Sequence, residues 1–135
     1  MAVTKSTASR NAALDSFETV VGTSAILKIR TGAPPANVAT ASSGTVLATC
    51  NLPSDWMAAA SSGQKAKSGT WEDTSADATG TAGHFEITQS DGTTVHMRGT
   101  VGLTGGGADL SVDSTGFTAG QSFTITAFTL VAGNA

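Results

Sequence analysis

Charge is scarce in this chain. Asp, Glu, Lys and Arg make up 13% of its 135 residues, and the net charge of −3 includes no basic run. A protein that neutralises phosphates needs clustered Lys and Arg, so the composition argues against nucleic acid as a partner. Aromatic residues are 5%, with two Trp and no Tyr. Few large side chains are therefore available to fill a core or to stack on a sugar. The single cysteine, Cys50, rules out an internal disulfide framework. It sits inside an apolar strand pattern and reads as a small buried hydrophobe; nothing in the sequence places near it the histidine that a thiol nucleophile would want. No apolar run reaches membrane-spanning length, and no apolar stretch of the signal-peptide kind lies near the start. The expectation is a chain kept soluble, with neither a membrane partner nor export by an N-terminal signal.

What fills the space is small. Ala, Thr, Ser and Gly account for about 75 of the 135 residues. One domain of this length can bury roughly two-thirds of its unfolded surface, enough for a core without staples. With few large apolar residues, that core should be thin, as between two sheets.

Residues 1–8 read as a flexible arm. Helix signals begin at Ser9, and Leu14, Phe17, Val20 and Val21 form an apolar stripe at spacings of three and four. Asp15 and Glu18 fall on the other side, and Gly22 marks the stop, which gives a helix over 9–22. The period then changes to two. Strands are predicted at 25–30 and 45–52, separated by a Pro- and Ser/Ala/Thr-rich loop. A short turn follows around Trp56 and Met57, with a helical piece possible, and then a weak strand from Lys65 to Trp71. The clearest hairpin joins 81–89 to 94–101 through Ser90-Asp91-Gly92. A short strand at 110–112 precedes the longest one, 121–131. Its apolar parity switches near Ala127, which signals a bulge or a crossing between sheets. Seven to eight strands with regular turn signals and no βαβ alternation predict an antiparallel β-sandwich or jelly roll over 23–135, behind one N-terminal helix.

The hairpin carries one chemical constellation. If a three-residue loop closes on Gly92, Ile87 faces Val95 and Phe85 faces Met97 on the buried side. His96 then lies opposite Glu86, and Arg98 opposite His84, on the exposed side. Two imidazoles and a carboxylate are a donor set for a divalent metal. Arg98 puts a fixed positive charge beside it, so a solvated polar face with a Glu86–His96 pair is the expected reading, with no cofactor. Glu72, Asp73 and Asp77 crowd one acidic loop but miss the calcium-loop spacing. Gly105-Gly106-Gly107 is not set between a strand and a helix and lacks the Gly-Lys-Ser/Thr that a phosphate loop requires. No nucleophile elbow or Ser/His/Asp set is visible, so the chain reads as non-enzymatic. Trp56 and Met57 either fill the core or anchor a partner. Ser6, Thr7, Arg10, Trp56 and Met57 are the candidate contact residues.

Four stretches, RNAALDSFETVVGTSAILKIRTGAPPA (10–36), LPSDWMAAASSGQKAKSGTW (52–71), ATGTAGHFEITQSDGTTVHMRGTVG (78–102) and SFTITAFTL (122–130), resemble small structural proteins of tailed bacteriophages. The resemblance implies a virion component without catalytic residues, assembled in the host cytoplasm. The first reading is a decoration or cement protein that binds the major capsid protein or other virion proteins as a dimer or trimer. The alternative is a tail-associated protein, or a carbohydrate-binding module of a tail fibre.

Overall fold

The computed structural model describes residues 3–133. The chain is mainly β, with one N-terminal helix and a curled sheet.

Helix α1 spans Thr7–Val21. It starts two residues earlier than the apolar spacing indicates, because Ser6 is the cap: its hydroxyl accepts the Ser9 N–H at 3.1 Å. The expected arm therefore loses Ser6, Thr7 and Ala8; residues 3–5 remain exposed ahead of the cap, and Met1 and Ala2 lie outside the described residues. Gly22 ends the helix with φ +87°, and its N–H bonds to the Glu18 carbonyl at 2.9 Å. Leu14 and Val21 are buried and Phe17 packs edge-on against Trp56. Val20, placed by its spacing in the buried stripe, is 65% exposed. The helix is rolled so that Asn11, Asp15 and Glu18 also face the protein, toward Gly63 and Lys65.

The main sheet has the order β2-β1-β5-β6-β7, from β1 (Ile26–Thr31), β2 (Val46–Asn51), β5 (Gly80–Thr88), β6 (Val95–Leu103) and β7 (Leu110–Val112). A two-residue β8 (Gly116–Phe117) pairs with the start of β5. The pairs from β2 through β6 are antiparallel. The last, β6 with β7, is parallel over three residues, which corrects the all-antiparallel expectation. Parallel neighbours ordinarily need a long crossover. Here the overlap is short enough for the turn at residues 104–109 to carry the chain back, and Gly105 and Gly107 adopt positive φ within it.

Two small antiparallel pairs complete the strands. β3 (Gln64–Ala66) pairs with β10 (Thr129–Val131), and β4 (Trp71–Asp73) with β9 (Phe123–Ile125). The weak strand expected from Lys65 to Trp71 is thus two strands with different partners. The long C-terminal strand is also two, and the break at residues 126–128 falls where the parity switches. No helical piece forms between β2 and β3; Met57 makes a single bridge to Lys67 instead.

An aromatic chain ties these parts together. Phe17 meets Trp56 at 6.2 Å, Trp56 meets Trp71 at 6.0 Å, Trp71 meets Phe128 at 5.5 Å, and Phe128 meets Phe85 of the main sheet at 5.6 Å. Both indoles are fully buried and both N–H groups are satisfied: Trp56 donates to the Gly22 carbonyl, and Trp71 to those of Trp56 and Ser68. Burying an indole with its donor paired stabilises without leaving an orphaned polar group.

Candidate functional site

The three side chains that the sequence offered as a donor set, His84, Glu86 and His96, are not brought together. The 89–94 turn is longer than three residues: Gln89 N–H bonds to the Thr94 carbonyl, and Asp91 accepts the N–H groups of Thr93 and Thr94. The Thr94 hydroxyl also bonds to Asp91, and these contacts, Thr94 first, hold the carboxyl down at about 2. A bulge follows, so that Thr88 pairs with Val95 but Ile87 pairs with Met97. Phe85, Ile87 and Met97 share a face as expected, yet the register slides by two. Arg98, not His96, stands opposite Glu86, and Thr100, not Arg98, opposite His84. His96 is left to pair with the Gln89 amide oxygen at 2.7 Å.

Nor is this face solvated. Glu86 is 1% exposed and His84 fully buried. The cover is the loop between β1 and β2, residues 32–45, which crosses the outside of the sheet as a strap. Gly83 makes room for it: a Cβ there would meet the Gly32 carbonyl oxygen at 2.1 Å. His84 Nδ1 donates to that same carbonyl at 2.8 Å, which leaves Nε2 buried without a partner among the described residues.

Glu86 is the hub under the strap. It accepts from Arg30 Nε at 2.9 Å, from Arg98 Nε at 3.3 Å and from the Ser42 hydroxyl at 2.8 Å. The two arginines reach on to the strap itself. Arg98 donates to the carbonyls of Asn37 and Thr40 and to the Ser42 hydroxyl; Arg30 donates to the Gly44 carbonyl. Burial alone would raise the Glu86 pKa, but Ser42, Arg30 and Arg98 outweigh it and hold the carboxyl below its ordinary value. These contacts join Glu86 and both arginines to residues 37–44, so the cluster fastens the strap to the sheet.

The acidic loop works in the same inward way. Asp73 accepts the N–H groups of Thr49 and Ser75, and Asp77 accepts the Thr49 hydroxyl, which caps the outer edge of β2. Among the described residues no three His, Cys, Asp or Glu side chains are grouped to hold a metal. Cys50 is buried, and burial, reinforced by Asp73, Asp77 and Glu72, pushes its thiol up to about 12. Such a thiol is not a nucleophile at neutral pH.

The candidate contact residues divide. Trp56 is fully buried and Met57 is 1% exposed, so neither is a surface anchor; with so few large side chains available, the core takes both. Neither indole can stack on a sugar. Ser6 and Thr7 are exposed but serve the helix start. Arg10 bonds to Thr7 and reaches the Ala132 carbonyl at 3.5 Å, which fixes the first turn of α1 beside the end of β10.

A second ionic cluster was not foreseen from the sequence. Lys65 is 1% exposed, and its Nζ lies 2.7 Å from both Asp15 Oδ1 and Glu18 Oε2. Asn11 accepts the Gly63 N–H, and Asp15 the Ala60 N–H. The stripe Asn11, Asp15, Glu18 runs at spacings of four and three, which would have marked a docking face had a buried lysine been suspected as its partner.

An open concavity reaches the core beside the main sheet. A cleft of about 360 Å³ lies between β6 and β10. Phe85, Met97, Phe128, Leu130 and Val131 line it together with the polar Arg98, Asp109 and Thr129. Among the described residues, β10 pairs only with β3, and the outer edge of β6 is paired only from Val101 to Leu103. The cleft is thus bordered by two strand edges over apolar side chains, and Val131 is 64% exposed there. No family model, curated protein or solved structure matches this chain.

Proposed function

We propose that this chain is a non-enzymatic structural protein of a tailed-phage particle, assembled in the host cytoplasm, that decorates or cements the shell as a dimer or trimer. The main sheet and the β3/β10 and β4/β9 pairs would be the two layers of a β-sandwich, with the aromatic chain between them. The observation that carries the reading is the cleft between β6 and β10, where the outer edge of β10 and the β6 edge ahead of Thr100, whose N–H is taken by Asp109, border the side chains of Phe85, Met97 and Phe128. Extended segments bind such edges by completing the hydrogen-bond ladder while their side chains enter the apolar gap. The exposed segment at residues 3–5 leaves the body close to the end of β10, through the Arg10–Ala132 contact. Contacts of this size are weak singly, and repetition over a symmetric shell multiplies them. The resemblance in the stretches quoted above supports the same reading.

Deletion of residues 1–5 tests it. Because Ser6 and its cap are kept, the variant should melt within a degree or two of the parent, as a change of a few tenths of a kcal/mol implies. Its co-sedimentation with shells should fall. Equal attachment by the two proteins removes the segment from the contact, and failure of the intact chain to bind shells at all removes the shell.

A further inference from the structure

We propose that Lys65, Asp15 and Glu18 form a self-crosslinking site, in which the Lys65 amine condenses with the Asp15 carboxyl to give an isopeptide bond between β3 and α1. Four groups needed for that reaction meet at one point. Lys65 Nζ, 1% exposed, is the nucleophile. The Asp15 carboxyl, 2.7 Å away through Oδ1, is the electrophile. Glu18, three residues along the same helix and 2.7 Å from Nζ, is the proton carrier. The Ala60 N–H, 3.0 Å from Asp15 Oδ1, is a donor already aimed at the oxygen that gains charge when the carboxyl carbon becomes tetrahedral.

The step balances without an outside reagent. A proton moves from the Lys65 ammonium to the Asp15 carboxylate, which leaves a neutral amine beside a carboxylic acid with Glu18 still ionised. The amine lone pair forms the Nζ–Cγ bond. Glu18 takes the next proton from nitrogen and returns it to the departing oxygen; the Cγ–O bond breaks with its electron pair on oxygen, and one water leaves. One positive and one negative charge become a neutral amide. The Asp15 side chain is 48% exposed, which gives that water a way out.

Two opposing effects set the rate. Burial pulls the Lys65 amine down, but its hydrogen bonds to Asp15 and Glu18 outweigh this and hold it above its ordinary value; the Lys65 and Ala60 hydrogen bonds hold Asp15 below its own. The neutral pair that reacts is therefore a small population, and the reaction is slow. Against this stands the positioning, since fixed intramolecular partners reach effective molarities of roughly 10⁵–10⁸ M. One event per molecule suffices. Moving a proton within the pair leaves the total protonation unchanged, so the rate should be flat between the two pKa values and fall on either side. The product would join residues 15 and 65 permanently, in a chain whose single cysteine allows no internal disulfide. It is independent of any role in a virion.

The test is intact-mass spectrometry of the purified full-length protein through a long incubation, followed by peptide mapping. The parent should accumulate a species lighter by one water, with a branched peptide joining Asp15 to Lys65. Lys65→Arg, which keeps the ion pairs, should stay at its full sequence mass. Asp15→Asn should lose ammonia in place of water and arrive at the same final mass as the parent product. Glu18→Gln should slow the parent reaction by about 100-fold or more. A parent that keeps its full mass from mildly acidic to mildly alkaline buffer overturns the proposal. So does a lost water that maps to Asp91-Gly92, where ring closure to a succinimide gives the same mass.

Discussion

Glu86→Ala is expected to destabilise the protein by about 3–5 kcal/mol, the usual cost of removing one partner from a buried ion pair. Arg30 and Arg98 are only 14% and 5% exposed at their side chains. Without Glu86 they would hold two positive charges against each other under the strap. Urea unfolding should show the loss, and limited proteolysis should find residues 36–45 cut faster, because the arginines that fasten them are no longer fixed. A change within about 0.5 kcal/mol, the range of an ordinary surface substitution, would remove the hub from the account. Acid should imitate the substitution. The folded protein holds the Glu86 pKa below its ordinary 4.5, so the unfolded chain binds a proton first as pH falls. The contribution of Glu86 is thus complete above that ordinary value and disappears as pH drops through the lowered folded one. Glu86→Gln should therefore have a shallower acid limb than the parent.

Trp71→Ala is expected to cost about 3–5 kcal/mol, the range for deleting a buried aromatic side chain. The indole is fully buried between Trp56 and Phe128, and its N–H occupies two carbonyls that would lose that donor. It also lies 5.7 Å beneath the Lys67 ammonium. Trp71→Phe fills most of the space but gives up the donor, and should lose about 1–3 kcal/mol. Equal midpoints for all three proteins in denaturant would mean that the aromatic chain does not support the fold.

Parity was legible in this sequence and register was not. Phe85, Ile87 and Met97 could be assigned to one face because the strand period is two. Pairing depends on how the turn closes. Asp91-Gly92 signals a turn, but the longer loop around the Asp91 carboxylate and the bulge at Val95 leave no mark in the hydrophobic pattern. The split of the C-terminal strand was legible, since Phe123 and Ile125 change parity with Phe128 and Leu130. The division between β3 and β4 was not, because polar strands of three residues carry too little pattern. The helix was rolled wrongly because Asp15 and Glu18 read as solvent-facing, whereas Lys65 draws them inward. The candidate metal set failed for a related reason. A loop of Ser, Ala and Thr looks like an exposed connector, and only the two arginines, in a chain with seven basic residues, hinted that it had something to hold.

The broken C-terminal strand has a bearing on the order in which the molecule can fold. β9 and β10, far along the sequence, supply the partners of β4 and β3, and α1 rests in turn on β3 through Lys65. The β1–β5–β6 ladder uses no residue beyond Leu103. The other half must wait for residues 123–131, a long-range closure of the kind that slows folding. Pulse-labelling hydrogen exchange should accordingly find the amides of residues 64–66 and 71–73 protected together with those of 123–125 and 129–131, after the central hairpin is already closed.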